Sequence, residues 1–415
     1  MSALLLLLRL AVRNLRRNTR RTLITSAGIA FGLALMAAVN TLQEGAHQDM
    51  VRTAVSLMAG HVVVQAPGWQ AEPDAAKVVT GSAEVAATLR RALPKASVGR
   101  RLFVDGLLTS PAGSAGVALR GVEPEAEAAV VEFDEQVKQG AWLTPGDTHG
   151  IVIGEAMAKS LAVGVGDKVV FLAQPDGDEV QSQLFRVRGV FRTGAAEFDG
   201  VIAFADLAAA QAVDLAEDPA TQVAVHLPPG EDPDAAWSAA KAALPGTPLE
   251  VLRWQDAIPE VRQYVELDSA YSDGMFLVLG LIVSMGVVNT VLMSVMERVR
   301  ELGIMMAVGL RPGRLAAMVL LEGFVLGAGS ALVGMALGLL LSWPIVTHGV
   351  DYSEMMGGET MEAAGLPLHL KVYGVIDWPR FAFYPLLGVF FALLASLWPA
   401  WKVAHLSPVQ AIHHR

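Results

Sequence analysis

Glu322 is the one acid inside a long apolar run, residues 315–346. A carboxylate at membrane depth is expensive, so such a residue is a functional candidate by default. It lies about ten residues past Pro312, roughly 15 Å along a helix. From there it meets either the other helix ends at the membrane surface or, by snorkelling, the surface itself. Just upstream stands a charged turn, Glu297-Arg298-Val299-Arg300-Glu301. A short apolar piece, 302–308, follows, then Gly309 and Arg311-Pro312-Gly313-Arg314. Leu302, Met306 and Leu310 fall at i, i+4, i+8 and predict a short helix with an apolar stripe. Gly309 is placed to end it and Pro312 to start the next. Gly303 lies within the piece, and Met296, Met305 and Met306 suit irregular grooves on a partner. Two readings stay open from periodicity: a socket for a separate motor, or a turn whose apolar residues rest on lipid.

Other chemistry is thin. No Gly-x-x-x-x-Gly-Lys-Ser/Thr phosphate loop occurs; the nearest approach, 164–168, has Val169 where the hydroxyl belongs and reads as a turn between helix and strand. Any ATP hydrolysis therefore belongs on another chain. The chain has nine histidines and no cysteine, which excludes disulfides and thiol chemistry. His413-His414 closes the sequence, but no His-Glu-x-x-His is present and no Ser/His/Asp arrangement can be assigned. We expect no catalytic residue and no metal.

These candidates need membrane helices to position them. With 53% hydrophobic residues and a mean hydropathy of +0.44, unevenly spread, the 415-residue chain is too apolar for a soluble globular protein. Apolar stretches of about 20 residues or more, uncharged apart from Asp273 and Glu322, predict spans at 22–43, 271–296, 315–346 and 381–401. Residues 1–21 carry six arginines and no acid. They form a basic amphipathic helix at the cytoplasmic face, and the following span is too long for a signal-peptide core. Beside a span, anionic lipid accounts for those arginines, and no nucleic-acid partner is needed. Four arginines in 297–314, against two basic residues and five acids in 347–380, put the first segment in the cytoplasm and the second outside. The tail, 402–415, returns to the cytoplasm. Residues 43–273 hold 33 acids against 17 Lys and Arg, as befits the other side of the membrane. Within them, 44–270 alternates short β-rich runs (61–65, 116–119, 151–153, 168–172, 184–191, 201–204, 222–227) with helical pieces (82–93, 155–161, 206–215, 234–243). That pattern predicts one large α+β domain, of one lobe or two, inserted between spans one and two.

The chain resembles the ABC transporter permeases related to MacB and FtsX. Asn289 through Gly309, N-T-x-x-M-x-x-x-E-R-x-R-E-x-G-I-x-x-A-x-G, is similar to that family's coupling segment, and Leu320-Leu321-Glu322-Gly323 to the stretch just beyond it. Pro399-Ala400 with Leu406-Ser407-Pro408-Val409-Gln410-Ala411-Ile412 matches its ending. Gly154-Glu155-x-x-Ala158-x-x-Leu161, with 164–169, resembles the MacB-like periplasmic core. Phe185–Gly189, then Val190-Phe191-x-Thr193-Gly194-x-x-Glu197-Phe198-Asp199, is similar to the lipoprotein-releasing branch, LolC and LolE. The charged turn itself is closer to MacB-like exporters.

The resemblance implies an inner-membrane permease without its own ATPase, paired with a second copy or homologue over a cytoplasmic ABC ATPase dimer that binds ATP and Mg. Glu297, Arg298, Arg300, Glu301, Leu302, Gly303, Met305, Met306, Gly309, Arg311 and Arg314 would take its push. The expected work is mechanotransmission, most like extraction of lipoproteins from the outer leaflet toward a periplasmic carrier. The alternatives are MacB-like export of peptides, toxins or lipids with an adaptor, and FtsX-like signalling. By position, the outer halves of spans one and two would line the substrate path with Phe31, Leu35, Met36, Val39, Met275, Phe276 and Leu279.

Overall fold

The computed structural model describes residues 3–17, 19–128, 130, 136–174, 180–213, 218–352, 361–363, 366–368 and 371–406. The ending motif from Ser407, the His413-His414 pair, Leu215, Glu354 and Glu359 lie outside them. The chain divides into two compact units, Met1–His47 with Glu266–Asp351 and Lys371–Arg415, and Gln48–Val265 with Tyr352–Leu370.

Among the described residues of the first unit, four helices are long and apolar enough to cross a membrane. The first long helix, Thr19–Ala54, and the second, Pro259–Met296, run well beyond the apolar stretches at 22–43 and 271–296. The third is Pro312–Thr347 and the fourth Trp378–Ala404. A separate N-terminal helix, Ala3–Arg17, precedes them. Its Leu10 and Leu15 pack against the bundle core beside Ile29, Val291 and Val319, so this side faces protein and not only lipid.

Lipid tails are as apolar as leucine, so the bundle needs close backbone approach and interhelical hydrogen bonds to hold together. Both are present. A Cβ at Gly323 would run into Ser396 Oγ, and one at Gly327 into Ala392, which sets the third helix against the fourth. Gly334 and Gly338 face Ala30, Leu33 and Ala37 of the first helix, while Gly329 faces open space. Shared hydroxyl hydrogen bonds pin the helices, Thr25 to Thr290 at 2.6 Å, Ser330 to Ser26 at 2.9 Å and Thr41 to Ser342 at 3.0 Å. Toward the other end, His47 Nε2 lies 2.7 Å from Asp268 Oδ2, and Gln43 Nε2 donates to the same carboxylate.

The second unit is α+β, with ten strands in its main sheet among the described residues: β1 (Val62–Gln65), β2 (Ser97–Ser110), β3 (Gly113–Val122), β4 (Val137–Gly140), β5 (Gly150–Gly154), β6 (Lys168–Ala173), β7 (Gln181–Phe191), β8 (Ile202–Asp206), β9 (Gln222–His226) and β10 (Glu250–Arg253). The pairings β2–β3, β3–β8, β8–β5, β5–β7, β7–β6 and β6–β2 close into a ring. Leu102, Leu119, Ile151, Ile153, Phe171 and Phe185 belong to its apolar core. The alternating burial of β6 and early β7 is the period-2 signature of strands with one face inward. A second lobe grows from the other end of β2: β9 pairs with Ser97–Arg101, β1 with β9, and β10 with β1. Helices Ser82–Ala92 and Pro233–Ala243 cover it through Leu89, Ala86 and Ala240, packed on Val62, Val64 and Val225. The second of these helices has Asp232 accepting from the Asp234 amide and Pro233 in its first turn. The 164–168 stretch is the turn into β6, where the Gly164 amide donates to Asp167 Oδ2.

Candidate functional site

The second long helix stops at Met296 because the next residues are charged and its last turn closes on itself. The Glu297 amide donates to Met293 O at 3.0 Å and the Arg298 amide to Val295 O at 3.1 Å. Arg298 (φ −120, ψ 11) leaves helical geometry, and a short helix, Val299–Ala307, the candidate coupling helix, begins. It ends with the Leu310 amide on Met305 O and the Gly309 amide on Met306 O, both at 3.0 Å. This is the Schellman arrangement, which needs a residue of positive φ, and Gly309 supplies it at φ +101. Arg311 then caps the third long helix, with Pro312 in its first turn. Two stiff breaks thus hold a nine-residue helix between two long ones.

The stripe does not face outward. Leu302 is 2% exposed, and with Val299 and Met306 it enters the bundle core beside Val295, Leu315 and Met318, while Met305 and Leu310 pack against that core. Gly303 is buried as well. The face presented to solvent carries Arg300, Ile304 (50% exposed) and Val308 (84%), again at i, i+4, i+8, followed by exposed Gly309, Arg311 and Arg314. Of the eleven coupling candidates, five are exposed (Glu297, Arg300, Gly309, Arg311, Arg314), and Ile304 and Val308 join them. The residues between these two sets anchor the helix.

The charged turn is tied down on three sides. Arg21 Nη1 meets Glu297 Oε1 at 3.1 Å, and Arg17 Nη1 meets Glu301 Oε1 at 2.6 Å. Arg298 reaches two ways, from Nε to Glu301 Oε2 at 3.2 Å and from Nη1 to Glu322 Oε1 at 3.1 Å. Asn14 Nδ2 donates to the same Glu322 oxygen at 2.5 Å. The Arg17 hydrogen bond, with Arg298 adding to it against a partial desolvation, holds the Glu301 carboxyl below its ordinary value. Glu322 is only 2% exposed and turns toward helix ends, not toward the surface. A buried carboxylate is tolerated only with charge and hydrogen-bond partners, and Arg298 and Asn14 supply both. The exposed Arg17 pair is weak by comparison.

The N-terminal partners Asn14, Arg17 and Arg21 were not legible as such, since arginines beside a span are accounted for by topology alone. The available signal was spacing: Arg17 and Arg21 stand four residues apart, as do Glu297 and Glu301. The seven substrate-path candidates divide. Met36, Phe276 and Leu279 line a crevice with Ile29, Leu33, Tyr384 and Phe391. Phe31, Leu35, Val39 and Met275 are exposed on the helix surfaces. The crevice is narrow and leaves a space of about 30 Å³, on the order of one or two waters. Among the described residues, no three His, Asp or Glu side chains group to hold a metal ion.

Known proteins match the chain along the same division. The family model described as MacB-like periplasmic core domain matches residues 22–243, and that described as FtsX-like permease C-terminal matches 274–408. The lipoprotein-releasing system transmembrane protein LolC of Xylella fastidiosa (strain 9a5c) is 25% identical over 428 residues, covering 97% of each chain. The corresponding LolE of Haemophilus influenzae is 26% identical over 310 residues, 71% of this chain and 72% of that one. The macrolide export ATP-binding/permease protein MacB of Chlorobaculum tepidum is 33% identical over 129 residues, 31% of this chain and 17% of that protein.

Proposed function

The chain belongs to the ABC permeases that join a MacB-like periplasmic core domain to an FtsX-like permease region, and from that premise we propose that it couples a separate ATPase to the release of acylated lipoproteins from a bacterial inner membrane. The observation that carries the coupling is the outward face Arg300–Ile304–Val308, with Arg311 and Arg314 beyond it, on a helix whose other side is locked into the bundle. A cytoplasmic ATPase dimer, with ATP and its Mg²⁺ bound there, seats on this face. A push on it has little slack in which to dissipate, because both ends of the short helix are stiff breaks. The arginines of the N-terminal helix and of 297–314 keep both termini cytoplasmic, which puts the sheet domain in the periplasm. A second permease copy or homologue completes the complex, and a periplasmic carrier or adaptor receives the cargo.

The substrate reading rests on the relatives named for lipoprotein release, of which one is matched over 97% of both chains. Exposing an acyl chain to water costs about 0.8 kcal/mol per CH₂, a task that requires an ATP-driven machine. The outer halves of the first two spans are the proposed path, with the crevice at Met36, Phe276 and Leu279 opening during the cycle. A MacB-like export role is the second reading, favoured by the Glu297–Glu301 turn and the 33% identity to a macrolide exporter.

Ile304→Asp with Val308→Asp should abolish co-purification of the ATPase while leaving the thermal midpoint of the permease unchanged, since both side chains are exposed. Retained ATPase at wild-type stoichiometry would sink the docking face. Mass spectrometry of the purified complex should find a bound acylated protein. A peptide or macrolide-like cargo with an adaptor would instead establish export.

A further inference from the structure

The first long helix ends in a glycine cap that reaches a single carbonyl, the Gly60 amide donating to Val55 O at 2.7 Å. It runs into a π-helical turn, Val55–Ala59, before Gly60 (φ +91) directs the chain into β1. The last carbonyls of a helix lack intrahelical partners and carry the negative end of its dipole. Here four of them in a row accept hydrogen bonds from side chains of the sheet. His226 Nε2 donates to Val55 O at 3.1 Å, Arg101 Nη2 to Ser56 O at 2.8 Å, Arg120 Nη1 to Leu57 O at 2.6 Å and Gln222 Nε2 to Met58 O at 2.8 Å.

The donors come from both lobes. Arg120 sits on β3 of the closed ring and Gln222 and His226 on β9 of the second lobe, while Arg101 sits on β2 at the junction, opposite both Val122 and Gln222. Arg101 is 1% exposed and is held by both oxygens of Glu127, at 3.0 and 2.8 Å. The Arg120 guanidinium lies 5.0 Å from the Phe103 ring centroid, and burial pushes it down to about 10, still charged at neutral pH. Desolvating guanidinium groups is unfavourable by several kcal/mol per ion, and the Gly60 cap already closes the helix end on the Val55 carbonyl. What the arginines add is a planar fork of fixed direction. The helix end cannot turn or slide without breaking buried bonds to both lobes at once.

We propose that Arg101, Arg120, Gln222 and His226 form a force-transmitting clamp: they are positioning residues that carry displacement of the first long helix into both lobes of the sheet domain. This deepens the coupling reading above and rests on it. The test uses the complete permease–ATPase complex in vesicles loaded with an acylated lipoprotein. Arg120→Met with Gln222→Leu removes two donors and keeps packing volume; Arg120→Lys keeps a charged donor. Since the chain has no cysteine, Arg52→Cys at the helix end and Ser182→Cys on β7 accept spin labels uniquely.

The double variant should keep wild-type ATP hydrolysis and lose lipoprotein release by about tenfold or more, as small misplacements far from the chemistry suffice for such losses. The label-to-label distance, single and narrow in the parent, should broaden when nucleotide is trapped with vanadate. Arg120→Lys should restore most of the release. Should the double variant fail to fold, Gln222→Leu alone is read in the same way. Wild-type release per ATP together with a narrow distance overturns the clamp. If the parent releases no lipoprotein at all, the substrate reading fails instead, and the label distances under trapped nucleotide still decide the clamp.

Discussion

Glu322→Leu is expected to destabilise the folded chain by about 3–5 kcal/mol, because removing one partner of a buried ion pair strands the other. The group left behind is Arg298, whose side chain is 11% exposed and whose Nη1 loses its buried carboxylate, keeping only the half-exposed Glu301 through Nε. Asn14 loses its acceptor at the same time. Thermal unfolding in detergent reads the change directly. Glu322→Gln, which keeps an acceptor oxygen, should fall between leucine and the parent. Pairing Glu322→Leu with Arg298→Met should recover most of the loss, since a well-packed apolar substitute for a buried pair is near neutral. An unchanged midpoint in Glu322→Leu alone would show that the carboxylate is not holding the turn. The same variants should loosen the coupling helix and raise ATP turnover per cargo released.

Gly323→Val should prevent assembly of the bundle altogether. A Cβ there would occupy the position of Ser396 Oγ and crowd its Cβ, with the Ala392 carbonyl oxygen close behind. Overpacking of this kind typically costs about 1–3 kcal/mol where neighbours can yield. Here the neighbour is the backbone-anchored face of the fourth helix, and Ser396 Oγ is itself bonded to Ala392 O at 2.8 Å. Gly329→Val, six residues along the same helix but facing open space, is the control and should fold normally. Equal yields of folded protein from the two variants would contradict the helix pairing.

The four membrane helices were legible because apolar runs of that length carry almost no charge and match the thickness of a bilayer core. Which glycines face which helix was not, since Gly323, Gly329 and Gly338 look alike in the sequence. The stripe Leu302–Met306–Leu310 was correctly periodic, yet periodicity says that one face is covered without saying by what. The covering is the chain's own Val295, Leu315 and Met318. The strand β2 went unread although it is the longest in the sheet domain. Its inward positions include Arg101, and Gly99 and Gly106 interrupt the run; at Gly106 any Cβ would strike Leu172 O and the Phe171 ring. Strands such as β6 and β9, built from valine and phenylalanine, were visible to within a residue or two. The carbonyl clamp could not be foreseen, because its donors are scattered over more than a hundred residues.

The dual membership of β2 sets how the sheet domain comes apart. Its first residues, Ser97–Arg101, are half of the pairing with β9, and its later ones, Gly106–Thr109, are half of the pairing with β6. A lobe cannot melt by itself without stripping hydrogen bonds from a strand that the other lobe still needs. The two lobes are therefore one cooperative unit, and the slowest amides of β3 and β9 should exchange with solvent at a common free energy. Under the proposed pull from the first long helix, tension would be met by the whole domain or not at all.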